Sequence, residues 1–364
     1  MNLEKLSNAF GVSSGEAAVR QIIIEATQAH ADEWHVDTMG NLFITRNHRV
    51  ETSGPVPRVM VTAHMDEVGF LISEIKSDGL LKFKPIGGFD KRILLGKTLL
   101  IGQERVPGVI GLKPIHLLKG DEYKTVGDID TMYIDVGGTS KGDTKVNVGD
   151  LATFATEFGY MGGQTPPPPL SPPDSGGETG GLARQGRVKG KAFDDRVGCA
   201  ILLELLQGDY PVDLVAVFTV QEELGMRGAK VAAYATNPDM AFILECTAAD
   251  DLPTNDAEKE VGIPRLGDGP AITVMDNSFI ADRPMINGLI AVAEAAHIPY
   301  QFKKPGVGGT DAGAIHLARQ GIPSAVVSVP ARYIHSPAAI IDLADFWHTV
   351  DLMRATLTKG FPQK

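Results

Sequence analysis

The sequence predicts an α/β fold: a mixed, mostly parallel sheet flanked by helices, with a small all-β barrel inserted into it. Three observations predict it. From residue 187 onward, apolar strand-like runs alternate with segments of helical period, the pattern of strands interleaved with helices. Between 69 and 160 that alternation stops, and short β-like runs follow one another across glycine-containing turns. The apolar run at 58–64, upstream of this block, has the texture of the strands downstream of it. The chain therefore divides into a first catalytic part (1–68), an inserted β domain (69–161), a proline- and glycine-rich loop (162–186) and the rest of the catalytic domain (187–364).

The elements follow in order. "GEAAVRQIIIEATQAH" has the spacing of an amphipathic helix, and "EWHVDTMGNLFITRN" reads as strand, Met-Gly-Asn turn and strand. "RVMVTAHMDEVGF" is a buried strand that ends in polar residues. In the β block, "LISEIK", "LKFKPIG", "KTLLIG", "RVPGVIGL", "TMYIDVGG" and "DLATFATEF" supply the barrel strands. "MGGQTPPPPLSPPDSGGETGGLARQG" is too poor in apolar residues to bury a core and reads as a loop of polyproline II character. A docking segment for a proline-recognition domain is the alternative. Beyond it, "RVGCAILLELLQG", "GMRGAKVAAYAT", "SFIADRPMINGLIAVAEAAH", "GTDAGAIHLARQ" and "IIDLADFWHTVDLMRATLTKG" read as helices. "VDLVAVFTV", "MAFILECT", "PYQFKK" and "PSAVVSVP" read as strands.

Composition narrows the function. A net charge of -11 without a Lys/Arg cluster argues against nucleic-acid binding. No uncharged apolar stretch approaches the ~18 residues a membrane span needs. The first residues lack a basic segment followed by an apolar one, and the two cysteines make no disulfide framework. These features lead us to expect a cytoplasmic protein.

Open α/β sheets bind ligands beyond the carboxyl ends of their strands. The polar residues gathered there are His64 and Asp66, the adjacent pair Glu222-Glu223, Glu245 and His335; Asp194-Asp195 precede a helix. Two like charges side by side in a poorly hydrated place need water, a basic partner or a metal to compensate them. Two imidazoles with several carboxylates and no thiolate set suit zinc, cobalt or manganese. A pair of ions would need one bridging carboxylate plus one imidazole and one acid each, which uses most of this set. In an extended strand His64 and Asp66 share a face, so Asp66 would accept a hydrogen bond from the far ring nitrogen of His64. Singly, each residue has a plainer reading: a hydrogen-bonded histidine, or an acidic helix cap.

The stretches "AHMDEVGF", "GKAFDDRVGC", "QEELGMRGA", "GGTDAGAIH" and "RYIHSP", in this order, resemble the tetrahedral and glutamyl aminopeptidases of peptidase family forty-two. "GVIGLKPIHLL" is similar to a stretch of that family's inserted β domain. The resemblance implies a cytosolic, zinc-peptidase-like enzyme that uses two divalent ions, zinc or cobalt with manganese possible. It also implies dimers formed through the β domain, and a hollow tetrahedral dodecamer. By position it makes His64, Asp194, Glu223, Glu245 and His335 metal ligands, with Asp194 bridging. Glu222 becomes the general base for a bridging water; Asp66, from its place beside His64 rather than from the resemblance, is read as a catalytic residue with it. The family often has Asp where this chain has Glu245, whose longer arm should still ligate. A cis peptide after Asp194 is also implied, whereas the proline-rich stretch departs from the compact return of the family. Thr310 and Asp311 would cap a helix, line the substrate pocket, or both. Arg332 would approach substrate or support His335.

Three rival readings compete with this one. Adjacent Glu222 and Glu223 point apart and cannot flank a glycosidic bond, which disfavours a glycoside hydrolase of endoglucanase type. A dinuclear deacylase or carboxypeptidase would tolerate a blocked N-terminus where an aminopeptidase would not. A non-enzymatic assembly protein predicts missing ligands, and none is missing. His316 and His348, within helices, are not expected to ligate, and His116 in the β domain is expected to be structural or interfacial.

Overall fold

Short apolar stripes open the chain. The computed structural model describes residues 2–51, 54–120, 124, 127–162, 184–252 and 263–359; the proline-rich segment 163–183 lies outside them. Helix α1 (Leu3–Asn8) buries Leu3 and Leu6, and α2 (Ala17–Thr27) buries Val19, Ile23 and Thr27, one residue per turn on one face. Strands β1 (Glu33–Val36) and β2 (Leu42–Arg46) form a hairpin. Its turn is held by Asp37, which accepts from the amides of Gly40 and Asn41, and Gly40 takes φ +101° there. Strand β3 (Arg58–His64) is buried from its second residue to its last, as a central strand must be.

The chain then makes a closed barrel from β4 (Gly69–Ile75), β5 (Leu81–Ile86), β6 (Thr98–Ile101), β7 (Val106–Gly111), β8 (Tyr133–Asp135) and β9 (Leu151–Phe154), in the order β4-β5-β8-β7-β6-β9. Inward-facing residues alternate along each strand, so Phe70 and Ile72, Leu99 and Ile101, and Ile110 and Ile134 fill its own core. The Phe70 ring meets Phe83 and Phe154 edge-on, with centroids 5.1 and 5.6 Å apart.

The remaining elements are β10 (Gly159–Tyr160), β11 (Arg187–Gly190), α3 (Phe193–Leu205), β12 (Asp213–Thr219), α4 (Arg227–Thr236), β13 (Met240–Ala248), β14 (Ala271–Thr273), α5 (Arg283–Ala295), β15 (Gln301–Phe302), α6 (Ala312–Ile315), β16 (Ser324–Arg332), β17 (Ala339–Asp342) and α7 (Leu343–Lys359). The main sheet runs β1-β2-β12-β3-β13-β16-β17-β11-β10, with β14 joined to β15 and β16. Its four central strands, β12-β3-β13-β16, are parallel, and the pairings outside them on this path are antiparallel. β12 and β13 lie on opposite sides of β3, so connections diverge there and open a crevice at the carboxyl ends. α3 packs on β3 and β13 beneath that crevice and also meets α1 and α7. No helix among the described residues is long and apolar enough to cross a membrane.

Three expected helices are shorter than their sequence patterns. In "SFIADRPMINGLIAVAEAAH" the helix starts only at Arg283, because Asp282 caps it by accepting from the Met285 amide and a proline occupies the first turn. In "GTDAGAIHLARQ" it is a single turn, Ala312–Ile315. Residues 340–342 of the closing pattern are strand, drawn into the sheet by pairing with β11. The strand in "PYQFKK" is only Gln301–Phe302.

A buried ion network ties barrel to sheet. Glu67, three residues past β3, accepts from Lys191 Nζ at 2.7 and 2.8 Å, Arg196 Nη2 at 3.2 Å and Thr153 Oγ1 at 2.8 Å. Lys191 and Arg196 also donate to the carbonyls of Ala9 and Leu6. Burial draws the Lys191 ammonium down to about 8, against the pull of Glu67. Removing one partner strands the other charges in a dry place. Glu67→Gln should lower the unfolding free energy by about 3–5 kcal/mol, read as a lower urea midpoint; an unchanged midpoint contradicts this account.

Candidate active site

The site is built where the parallel strands end. His64 is the last residue of β3, level with Thr219 at the end of β12. Glu222 and Glu223 lie in the loop after β12, and Glu245 is within β13 opposite Ser328 of β16. His335 follows β16, and Asp194 stands at the opening of α3. The loops bearing them carry non-glycine residues of left-handed φ: Ala192 (+55°), Gln221 (+55°) and His335 (+56°). Such conformations cost about 1–3 kcal/mol each and persist where surrounding structure enforces them. The Asp194–Asp195 peptide is cis.

Asp194 is the centre of the arrangement. Its Oδ1 lies 3.1 Å from His64 Nε2, and its Oδ2 lies 3.2 Å from His335 Nε2. Glu223 Oε1 is 3.4 Å from His335 Nε2, and Glu245 Oε2 is 3.8 Å from His64 Nε2. The opposite ring nitrogens face backbone carbonyls: His64 Nδ1 is 3.1 Å from Asp66 O, and His335 Nδ1 is 3.1 Å from Gly88 O in the barrel. A carbonyl can only accept, so each Nδ1 carries hydrogen and each Nε2 is turned toward the acids.

Asp66 lies beyond the end of β3, so loop geometry rather than strand pleat brings it to His64, with Oδ1 3.3 Å from Nδ1. It also accepts the backbone amides of Glu222 (3.0 Å) and Glu223 (3.2 Å) and the Ser13 hydroxyl (2.6 Å). One carboxylate thus fixes a histidine and the glutamate pair together. Glu16 adds a second tie, accepting from the amides of Ser14 and Gln221.

Electrostatics follow from burial. Burial raises Glu222 and Glu245 well above the usual carboxylate range, and raises Glu223 to about 7 against the pull of His335. Burial opposes charge on Asp194 as well, but hydrogen bonds from His335 and His64 outweigh it and hold that carboxyl low. Those same bonds, working against burial, raise His64 well above 6.5 and His335 to about 9. Several acids are therefore crowded around two imidazoles with too little cationic charge to ionise them all.

The residues fit divalent cations. Glu245 Oε1 is buried and has no hydrogen-bond partner among the described residues, an acceptor left over for something else. Ligand atoms of His64, Asp194 and Glu223 lie within 4.8 Å of one another, as do those of His64, Asp195 and Glu245. Asp195 in the second group is already occupied: its oxygens accept from the amides of Gly198 (3.0 Å) and His64 (3.2 Å). Asp194, whose oxygens both face imidazole, is the better donor to a cation. The nitrogen-and-carboxylate set suits zinc, cobalt or manganese.

A cleft of about 540 Å³ opens over these groups, lined by His64, Asp194, Glu222, Glu223, Glu245, His335 and Thr310 among others. Thr310 donates to Asp276 at 3.1 Å. Asp311 stands at the start of α6 without capping it and does not line the cleft; it is buried and takes the Thr219 hydroxyl at 2.6 Å. Arg332 is also away from the lining, held in a bidentate pair with Asp251 at 2.5 and 2.8 Å. Asp311 Oδ2 and the Arg332 guanidinium thus have partners outside the cleft lining, whereas Asp311 Oδ1 is buried without a hydrogen-bond partner among the described residues. Sequence reasoning missed Glu67, Lys191, Arg196, Ser13 and Glu16. Only the adjacency of Glu67 to Asp66 hinted at them.

A family model described as M42 glutamyl aminopeptidase matches residues 40–165 and 179–352. The chain is 36% identical over 330 residues to the glutamyl aminopeptidase of Lactococcus lactis subsp. cremoris, covering 88% of this chain and 85% of that one. It is 30% identical over 372 residues to the lysyl aminopeptidase of Pyrococcus furiosus, covering 99% and 97%. The TET1 peptidase of Pyrococcus horikoshii, which can assemble into a tetrahedron or a large octahedral shell, superposes with a TM-score of 0.81 at 30% identity, covering 99% of each chain. The chain belongs to the M42 glutamyl aminopeptidase family, and is a metal-dependent aminopeptidase that hydrolyses peptide bonds.

Proposed function

We propose that the chain releases N-terminal residues from peptides with two divalent cations, zinc or cobalt, with manganese a third candidate. His64, Asp194 and Glu245 would hold one, and Asp194, Glu223 and His335 the other. The observation that carries this reading is the Asp194 carboxylate divided between His64 and His335, at 3.1 and 3.2 Å. When bound, the cations would supply Lewis acidity that acidifies water and polarises a carbonyl.

The remaining steps fall to the chain. Glu222 lines the cleft, and burial raises its carboxyl. A carboxylate of raised pKa takes a proton from water attacking the peptide carbonyl and returns it to the leaving nitrogen. Asp66 keeps Glu222 in place through its backbone amide. The acid-lined cleft favours the substrate's free α-ammonium, which confines hydrolysis to chain ends.

We carry the barrel (69–161) as the assembly module. Val109, Ile115 and Leu117 on it are exposed, and burying them in dimers, and through dimers in a tetrahedral dodecamer, would remove that apolar surface from water. Two buried free cysteines, Cys199 and Cys246, are consistent with a cytoplasmic location.

Cation uptake should release protons, since Glu223 near 7 and His335 near 9 must both deprotonate to ligate. Affinity should therefore rise from about pH 6 and level off above about 9, measured by competition with a chromophoric chelator. An affinity flat or falling over that range counts against the ligand set. Glu222→Gln should retain its cations by elemental analysis and lose about 10²–10⁴-fold in kcat; wild-type turnover in that variant would remove Glu222 from the mechanism. N-acetylation of a peptide substrate should abolish cleavage, measured by amine release, and cleavage of the blocked peptide would favour a deacylase or carboxypeptidase.

A further inference from the structure

The cleft does not end at the two histidines. A trough of about 700 Å³ adjoins it, and Ile334 and His335 line both. One wall of the trough is the loop after β16 at 333–338; the other is the barrel segment between β5 and β6, from Gly88 to Lys97. The barrel wall carries its charges unevenly. Arg92 is neutralised by Asp90, whose carboxylate accepts from its Nε at 2.9 and 2.8 Å. Lys91, just before it, is paired with Asp128 at 2.6 Å. Lys97 lines the same trough and, among the described residues, enters no ion pair. Leu95, 38% exposed, adds an apolar surface two residues away.

The direction of a bound peptide follows from the acids. Glu222, Glu223 and Glu245 draw the α-ammonium into the cleft, so the first residue lies on their side of His335. The rest of the peptide then runs past His335 into the trough, where the cleft continues between loop and barrel. We infer that this trough holds the leaving part of the substrate, and that Lys97 receives a carboxylate from it, either the C-terminal one of a short peptide or an acidic side chain near the new N-terminus. This rests on the aminopeptidase reading and deepens it, giving the barrel a part in substrate binding. The walls are fixed before a peptide arrives: Asp251 holds Arg332 at the base of the loop, and Ser336 and Ala338 hydrogen-bond each other. On a chain of net charge -11, most of the surface repels an anionic tail, so an unpaired ammonium at this place discriminates. Lys97 is exposed, so its effect is that of a solvent-accessible ion pair, a few-fold and weakened by salt.

The test compares kcat/KM of the metal-loaded full chain on peptides that share one N-terminal residue X, the residue whose p-nitroanilide is cleaved fastest. One pair is X-Ala-Ala as free acid and as C-terminal amide; the other is the amides of X-Glu-Ala and X-Gln-Ala. The anionic member of at least one pair should lead by about three- to fivefold at low salt, and by less in about 1 M NaCl. A lead in the first pair assigns the terminal carboxylate, and a lead in the second a side chain. Lys97→Met should bring the ratio to about one with cation content unchanged, and Lys97→Glu should invert it. Equal rates within both pairs, or a lead that survives in Lys97→Met, overturns the inference, while cleavage of the X anilide leaves the aminopeptidase function standing. Release of the C-terminal residue in place of X, read by mass spectrometry, overturns both. So does inactivity on every free-amine substrate together with cleavage of N-acetylated peptides.

Discussion

The site depends on one carboxylate shared between two imidazoles. Asp194 faces His64 with one oxygen and His335 with the other, while Glu222, Glu223 and Glu245 crowd the same buried space. In the protein alone, burial raises those glutamates above the range in which carboxylates ordinarily ionise. The arrangement becomes electrostatically reasonable with divalent cations, whose charge often dominates a local site. The sheet topology makes the crowding possible, because β12, β3, β13 and β16 run parallel, with β12 and β3 ending level at Thr219 and His64 while β13 and β16 continue past Glu245.

Holding like charges in place requires a scaffold, and neighbouring acids divide that work. Asp66 holds His64 and the amides of Glu222 and Glu223, whereas Glu67 turns the other way to Lys191 and Arg196. Asp194 faces the cleft, whereas Asp195 accepts the Gly198 amide inside α3 and the His64 amide in β3. Each adjacent pair thus joins a proposed site residue to a structural one, so the proposed ligands cannot shift without disturbing the core. The barrel takes part as well, since the Gly88 carbonyl lies against His335 Nδ1 and Thr153 donates to Glu67.

Much of this was legible in the sequence for definite reasons. Apolar runs ending in His64, Glu222 and Glu245 marked strand ends, and strand ends in such sheets meet at one crevice. The β-only texture of 69–160 marked the barrel. The parts that could not be read depend on contacts between distant residues. Nothing local distinguishes Lys191, paired with Glu67, from Lys303, which has no ion pair among the described residues. Nor does anything local announce that Thr219 meets Asp311 or that Asp251 pairs with Arg332. The single turn of α6 was overestimated because a helical pattern of apolar residues does not reveal where packing and glycines end it.

The most direct test of the central claim is anomalous diffraction from crystals of the zinc-loaded protein, recorded on both sides of the zinc absorption edge. The account predicts two peaks, one on each side of the Asp194 carboxylate, next to Nε2 of His64 and of His335. A single peak, or zinc bound away from both histidines in an active crystal, would contradict it.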